Sequence, residues 1–312
     1  MSATHRPFRF GVQVSKAADA KGWADLARKT EDLGFSTFTM PDHFSDQFAP
    51  IPALVAAADA TTTLRVGMLV LDNDYRHPVV LAKEAATLDL LSDGRLELGL
   101  GAGWERTDYE KSGMPYDPPG TRIDRFLEGL TIVRGLFAGG PYSFEGEHYT
   151  VTDLDGTPKP VQAHVPLLVG GGGPRMLALA AREADIVGVN FDLRSGAVDA
   201  ATTSTGTAAE VDKKIDIIRA AAGDRFDDLE LNIRVFVNVV TDDREGMAER
   251  LAPGFGVAPS DALEIPFALV GTTAQIIETI RARRERWGFS YVIFGADDLD
   301  RMAPVVAELA GT

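Results

Sequence analysis

The chain has 312 residues, 45% of them hydrophobic, enough to bury the core of one large α/β domain or of two ordinary ones. Its formal net charge of −15 argues against nucleic acid as a partner, since phosphate backbones are bound by clustered Lys and Arg. The absence of cysteine excludes a disulfide framework, a thiolate nucleophile and a Cys-ligated metal. No apolar run approaches the roughly 18 residues of a membrane span, and Met1 to Arg9 lacks the apolar centre of a signal peptide. The expectation is a cytoplasmic protein acting on a small molecule, away from membranes.

In chain order, Phe8 to Val14 is the first expected strand. Trp23 to Leu33 has helical spacing, with Gly34 as its stop. Strand two is Thr37 to Met40, followed by an Ala-rich helix, Ile51 to Ala60, opened by Pro50 or Pro52. Strand three is Leu64 to Leu71, and Pro78 starts a helix that runs through Leu91 and stops at Asp93-Gly94. Strand four is Leu96 to Leu100, and Arg122 to Phe137 is a long amphipathic helix. Strands five to eight are Pro166 to Val169, Ile186 to Val189, Leu229 to Val240 and Tyr291 to Phe294; Thr272 to Trp287 and Leu299 to Leu309 are the last helices. Eight short Val-, Leu- and Ile-rich strands alternating with helices predict one (β/α)8 barrel domain over residues 1–312, with a doubly wound open sheet as the rival. Three segments exceed a minimal barrel: Gly113 to Gly120, irregular; Gly139 to Val165, a hairpin around Glu145-Gly146-Glu147; and Arg194 to Gly206, a mobile small-residue loop. All follow strands four to six, so they are expected to wall or cover a pocket.

In a parallel barrel the breaks after the strands open onto the C-terminal face, where such barrels do chemistry. Asp42-His43 directly follows strand two. His43 can exchange a proton near neutral pH, with Asp42 orienting it or capping the next helix. Gly99-Leu100-Gly101-Ala102-Gly103 is not a dinucleotide G-x-G-x-x-G loop; its glycines admit a flat group or make a tight turn, with Trp104 at the pocket edge. Gly170, Gly171, Gly172 and Gly173 lead into Pro174-Arg175 at a helix start. Successive free N–H groups there form an anion nest, suited to a phosphate, and Arg175 adds a charge. Glu97 and Arg234 stand inside apolar strands and are expected to pair if both point inward. His77, before Pro78, reads as structural, and His5, His148 and His164 as surface residues. The five scattered histidines, with no carboxylate cluster, suggest no metal site.

Taken together, Met40-Pro41-Asp42-His43-Phe44, Tyr75-Arg76-His77-Pro78-Val79-Val80-Leu81-Ala82, Leu88-Asp89-Leu90-Leu91-Ser92-Asp93-Gly94-Arg95, Glu97 through Trp104 and the Gly170 block resemble the luciferase-like monooxygenase superfamily. The strand-two Asp-His resembles that of its coenzyme F420-dependent oxidoreductases, of actinobacterial type. The resemblance implies a deazaflavin ring across the barrel mouth and its phosphate in the Gly170 nest. It also implies a bulge at Met68-Leu69-Val70 supporting the ring, often with a non-proline cis peptide, expected at Met68–Leu69. Asn190 joins Gly101 and Gly103 in the implied cofactor set, and Asp42, His43 and Trp104 form the implied catalytic set. The implied activity is hydride transfer between F420 and a small organic substrate, by a homodimer. An FMN-dependent monooxygenase and a non-catalytic F420- or flavin-binding barrel stay open as alternatives. Trp104 stands where some sugar-phosphate dehydrogenases carry an acid, which disfavours that substrate.

Overall fold

In the computed structural model, residues 6–312 are described, so His5 lies outside the described residues. Eight parallel strands form the core: β1 (Arg9–Gln13), β2 (Thr37–Met40), β3 (Arg65–Met68), β4 (Leu96–Gly101), β5 (Leu167–Gly171), β6 (Ile186–Val189), β7 (Glu230–Arg234) and β8 (Phe289–Gly295). Each pairs with the next, and β8 returns to β1 through Arg9↔Tyr291, so the sheet closes. This is the (β/α)8 barrel, not the open sheet. β2 and β6 are buried at every position, as their unbroken apolar runs require. Four of the surrounding helices, Pro50–Asp59, Pro78–Leu91, Pro119–Phe137 and Pro174–Glu183, open on proline. Proline's fixed φ suits the first helical turn, where its missing N–H costs nothing. The long helix therefore starts at Pro119 rather than Arg122.

Strand three departs from expectation. The amide of Leu69 still donates to the Met40 carbonyl (2.8 Å), holding that residue to β2. Leu71-Asp72 has already moved over to pair with Leu100-Gly101 of β4. The change of direction falls between them, and the cis peptide is Leu69–Val70, one bond later than expected. Strand seven also breaks. Phe236 and Val237 both donate to the Phe267 carbonyl (2.9 and 3.3 Å). That contact diverts Val237–Val240 into a separate parallel pair with Ala268–Gly271, a strand without an expected counterpart.

The expected hairpin forms as Tyr142–Glu145 with Thr150–Leu154, but on the barrel's flank. The Glu128 carboxylate accepts the amides of Glu147, His148 and Tyr149 (2.8, 2.9 and 3.1 Å), binding the turn to helix Pro119–Phe137. It does not line the mouth, and His148 is half-buried rather than on the surface. His164 is exposed, 2.8 Å from Asp185. His77 is structural: it is the N-cap of Pro78–Leu91, its Nδ1 accepting the Val79 amide.

The N-terminal end of the barrel is closed by charge. Glu97 accepts from Arg9 Nη1 (2.5 Å) and Arg65 Nε (2.8 Å). Arg9 also binds Glu230 through two bonds (2.7 and 2.6 Å), and its guanidinium lies 3.5 Å from the Tyr291 ring centre. Glu97 points inward, as its parity predicts, but it does not pair with Arg234. Arg234 is four residues beyond Glu230 on β7, roughly 13 Å at the rise of a strand, and so belongs to the other mouth.

Candidate active site

A cavity of about 620 Å³ opens at the C-terminal ends of the strands. It gathers Asp42, His43, Leu69, Val70, Gly101, Gly103, Trp104, Gly170 to Gly173, Pro174, Arg175 and Asn190 from five separate segments. Met68 is not among them. As the last ladder residue of β3 its side chain is 1% exposed, in the core.

His43 is held from an element that sequence reading missed. Helix Arg106–Ser112 follows the β4 turn and presents Asp108 to His43, with Nδ1 to Oδ2 at 2.7 Å. Glu105, just before that helix, lies 3.0 Å from the same nitrogen. Asp108 is fixed in turn by the Phe44 amide (3.2 Å) and the Tyr75 hydroxyl (3.2 Å). Carboxylates therefore do accompany His43. The available signal was local: an acid four residues after Trp104, in the first turn of a short polar helix. The Trp104 ring meets the imidazole edge-on, at 5.7 Å and 85°.

Asp42 does not orient His43. Its carboxylate accepts Arg76 Nη1 (2.5 Å) and Nη2 (3.2 Å) and the Asp72 amide (3.1 Å), bracing the segment that follows strand three. Beneath that segment lies a second acid. Asp72 is buried, which pushes its carboxyl up to about 7. The Tyr109 hydroxyl donates to its two oxygens (3.1 and 2.9 Å). Burial, together with this carboxylate, drives the Tyr109 phenol far above its usual range. Gly103 makes the arrangement possible: its φ is +74°, and a Cβ there would stand 2.0 Å from Tyr109 Oη. The glycine after β4 thus serves the protein's own buried pair.

The Gly170 block behaves differently. Gly173 is the N-cap of helix Pro174–Glu183, and no side chain caps that end. Its first-turn amides are therefore available to an anion. Gly172 must lack a side chain because a Cβ would meet the Phe191 carbonyl at 1.9 Å. Arg175 is exposed and turned aside to Asp124 and the Gly120 carbonyl (3.2 Å), so its charge is already matched. Asn190 accepts the Phe191 amide at Oδ1 (2.8 Å), while its carbonyl takes the Lys214 ammonium (2.6 Å), which burial lowers to about 8. In the segment after β6, Val198 and Thr203 line the cavity, and Asp199 caps the short helix Ala200–Ser204. That segment forms the expected wall.

The profile of the luciferase-like monooxygenase family matches residues 3–256. The chain belongs to this family. Over 187 residues the chain is 37% identical to an uncharacterised protein of Mycobacterium tuberculosis, covering 56% of the chain and 63% of that relative, less than two thirds of its length. An F420-dependent glucose-6-phosphate dehydrogenase of Nakamurella multipartita is 30% identical over 255 residues, covering 79% of the chain and 72% of the relative. The fold is that of the coenzyme F420-dependent tetrahydromethanopterin reductase of Methanopyrus kandleri, with a TM-score of 0.78 at 20% identity over 98% of this chain and 99% of that one. Among the described residues no helix is long and apolar enough to cross a membrane.

Proposed function

We propose that the protein is a coenzyme F420-dependent oxidoreductase, moving a hydride between the deazaflavin and a small organic substrate with a C=C, C=N or C=O bond, in either direction. One observation carries this reading: a single mouth in which an uncapped glycine-rich helix start and a carboxylate-held histidine face the same cavity. The family, and the F420-dependent relative of Nakamurella multipartita, support it.

The residues present fit the cofactor. A Cβ on Gly101 would stand 2.8 Å from Val70 Cγ2, and one on Gly170 would stand 3.2 Å from Cγ1, so bare backbone on both sides leaves Val70 as a smooth wall for a flat ring. Leu69, Val70 and Gly101 would hold the ring, Gly170 to Gly173 with Pro174 the phosphate, and Asn190 the intervening chain. When bound, the cofactor supplies the hydride chemistry, and the protein supplies placement and proton handling. With Nδ1 engaged by Asp108 and Glu105, the remaining nitrogen of His43, Nε2, is the one left to exchange a proton with the ligand. Trp104 fixes the imidazole plane from the side, and Asp42 acts at a distance, through Arg76 and the strand-three break.

Titration with oxidised F420 and with FMN tests the assignment; F420 should bind clearly more tightly. Equal or tighter FMN binding would replace it with the FMN-dependent monooxygenase, and F420 binding without turnover of any acceptor with the non-catalytic barrel. The same reading takes residues 1–312 as one catalytic domain, working in the cytoplasm as a homodimer, which light scattering would check.

A further inference from the structure

Two of the four arginines on the cavity wall already have a counter-charge. Arg175 has Asp124 and Arg194 has Asp192. Arg122 has no carboxylate but gives Nη1 to the Gly103 carbonyl (2.7 Å) and lies over the Tyr116 ring (4.4 Å). Arg234, at the end of β7 in the cavity floor, shares with Arg122 the lack of a carboxylate, and its guanidinium lies 5.0 Å from the Phe236 ring centre. Its Nε donates to Gln13 Oε1 (3.1 Å) and its Nη1 to the adjacent Val235 carbonyl, and Nη2 has no hydrogen-bond partner among the described residues. The acid that acts on it through space is Asp298, whose oxygens are taken by Asn238 Nδ2 (2.8 Å) and Arg301 Nη1 (2.6 Å). Burial without a paired acid lowers Arg234 to about 10. A desolvated guanidinium of this kind is stabilised when a ligand brings the missing negative charge.

We infer that Arg234, held by Gln13, is a binding site for the negative charge that the pyrimidinedione end of a bound deazaflavin or flavin carries when reduced. The inference rests on the proposed cofactor reading and deepens it. Hydride transfer to the ring brings two electrons and one proton. The ring's charge becomes more negative by one unit, held on its N1 and C2-carbonyl edge until a proton follows from solvent. A carboxylate-bearing substrate is the other possible source of an anion. The anchoring favours the ring: Gln13 Nε2 donates to the Leu69 carbonyl (2.8 Å), so Arg234 is tied to the same strand break whose Val70 would support the ring.

The test is the dissociation constant of oxidised and of anaerobically reduced F420 for the wild type, Arg234→Gln and Arg234→Lys. Arg234→Gln should weaken the reduced form by about 10- to 100-fold, the worth of a hydrogen bond to a charged group, and the oxidised form far less. Arg234→Lys should recover part of the difference, and if Arg234→Gln does not fold, the Lys variant's selective loss of the reduced form carries the test. Equal weakening of both forms, or none, would overturn the inference. So would a change confined to the KM of carboxylate-bearing substrates, which would assign Arg234 to the substrate. If the wild type binds FMN instead, the F420 reading falls while Arg234 is still read from oxidised and reduced FMN, whose pyrimidinedione is the same. If it binds neither, both fall.

Discussion

The two ends of this barrel are both rich in charge and use it in opposite ways. At the N-terminal end Arg9, Arg65, Glu97 and Glu230 form a closed set, two cations against two anions, each charge within 3 Å of an opposite one. At the C-terminal end the charges do not close. His43 has two carboxylates on one nitrogen, Asp72 is buried with no cation on it, and Arg234 is half-buried with no anion. A set that balances itself has nothing to offer a ligand; one that does not has unspent electrostatic free energy for binding and proton transfer. The contrast matches the division of a barrel into a stability face and a chemistry face.

Replacing His43 by Ala should give the largest effect. Turnover should fall by about 10²- to 10⁴-fold, the usual worth of a positioned acid–base group, with the melting temperature nearly unchanged. Wild-type turnover in His43→Ala would reduce His43 to part of the wall. At the other end, Glu97→Ala leaves Arg65 and half of Arg9 uncompensated and should cost about 3–5 kcal/mol of stability, read by denaturant unfolding. The cofactor's Kd should not move in whatever fraction stays folded; a selective loss of binding would show that the two ends are coupled. Gly172→Ala sets a methyl against the Phe191 carbonyl and should cost roughly 1–3 kcal/mol by overpacking, together with weaker cofactor binding. A variant with unchanged Kd would remove the glycine block from the phosphate site.

A pH dependence sharpens the comparison further. Asp72 is raised from an ordinary 3.8 to about 7, so the native protein holds a proton that the unfolded chain releases. Its contribution is fully present below pH ~4 and is lost as pH rises through ~7. Wild-type stability should therefore fall between pH ~4 and ~7 relative to Asp72→Asn. Parallel melting curves across that range would show the carboxyl ionised throughout.

The barrel was legible because eight strands buried on both faces must be apolar, and β2, β6 and helix Pro78–Leu91 fall at the expected residues. That the Gly170 block and His43 would face one cavity was legible because both follow strand ends, which in a parallel barrel open onto one face. What the sequence hid is pairing. Glu97 and Arg234 were visible as misplaced charges, yet their partners depend on which end of the barrel each reaches. Asp42 is adjacent to His43 in sequence, but its carboxylate serves Arg76, while Asp108, 65 residues on, holds the imidazole. The strand-three break, where Leu69 is still bonded to β2 while Leu71 pairs with β4, is set by neighbouring strands that no local pattern encodes.

Gln13 has a consequence for how such a mouth diversifies. Its amide is used at both ends, the nitrogen toward the Leu69 carbonyl and the oxygen toward Arg234, so the side chain cannot be flipped without setting like against like. Exchanging that one nitrogen for oxygen, Gln13→Glu, would remove the tie to strand three and turn the floor from a cation awaiting a partner into a neutral ion pair. A single-atom change at the end of β1 is thus a polarity switch for the whole floor, one that leaves the glycine nest and the substrate wall untouched.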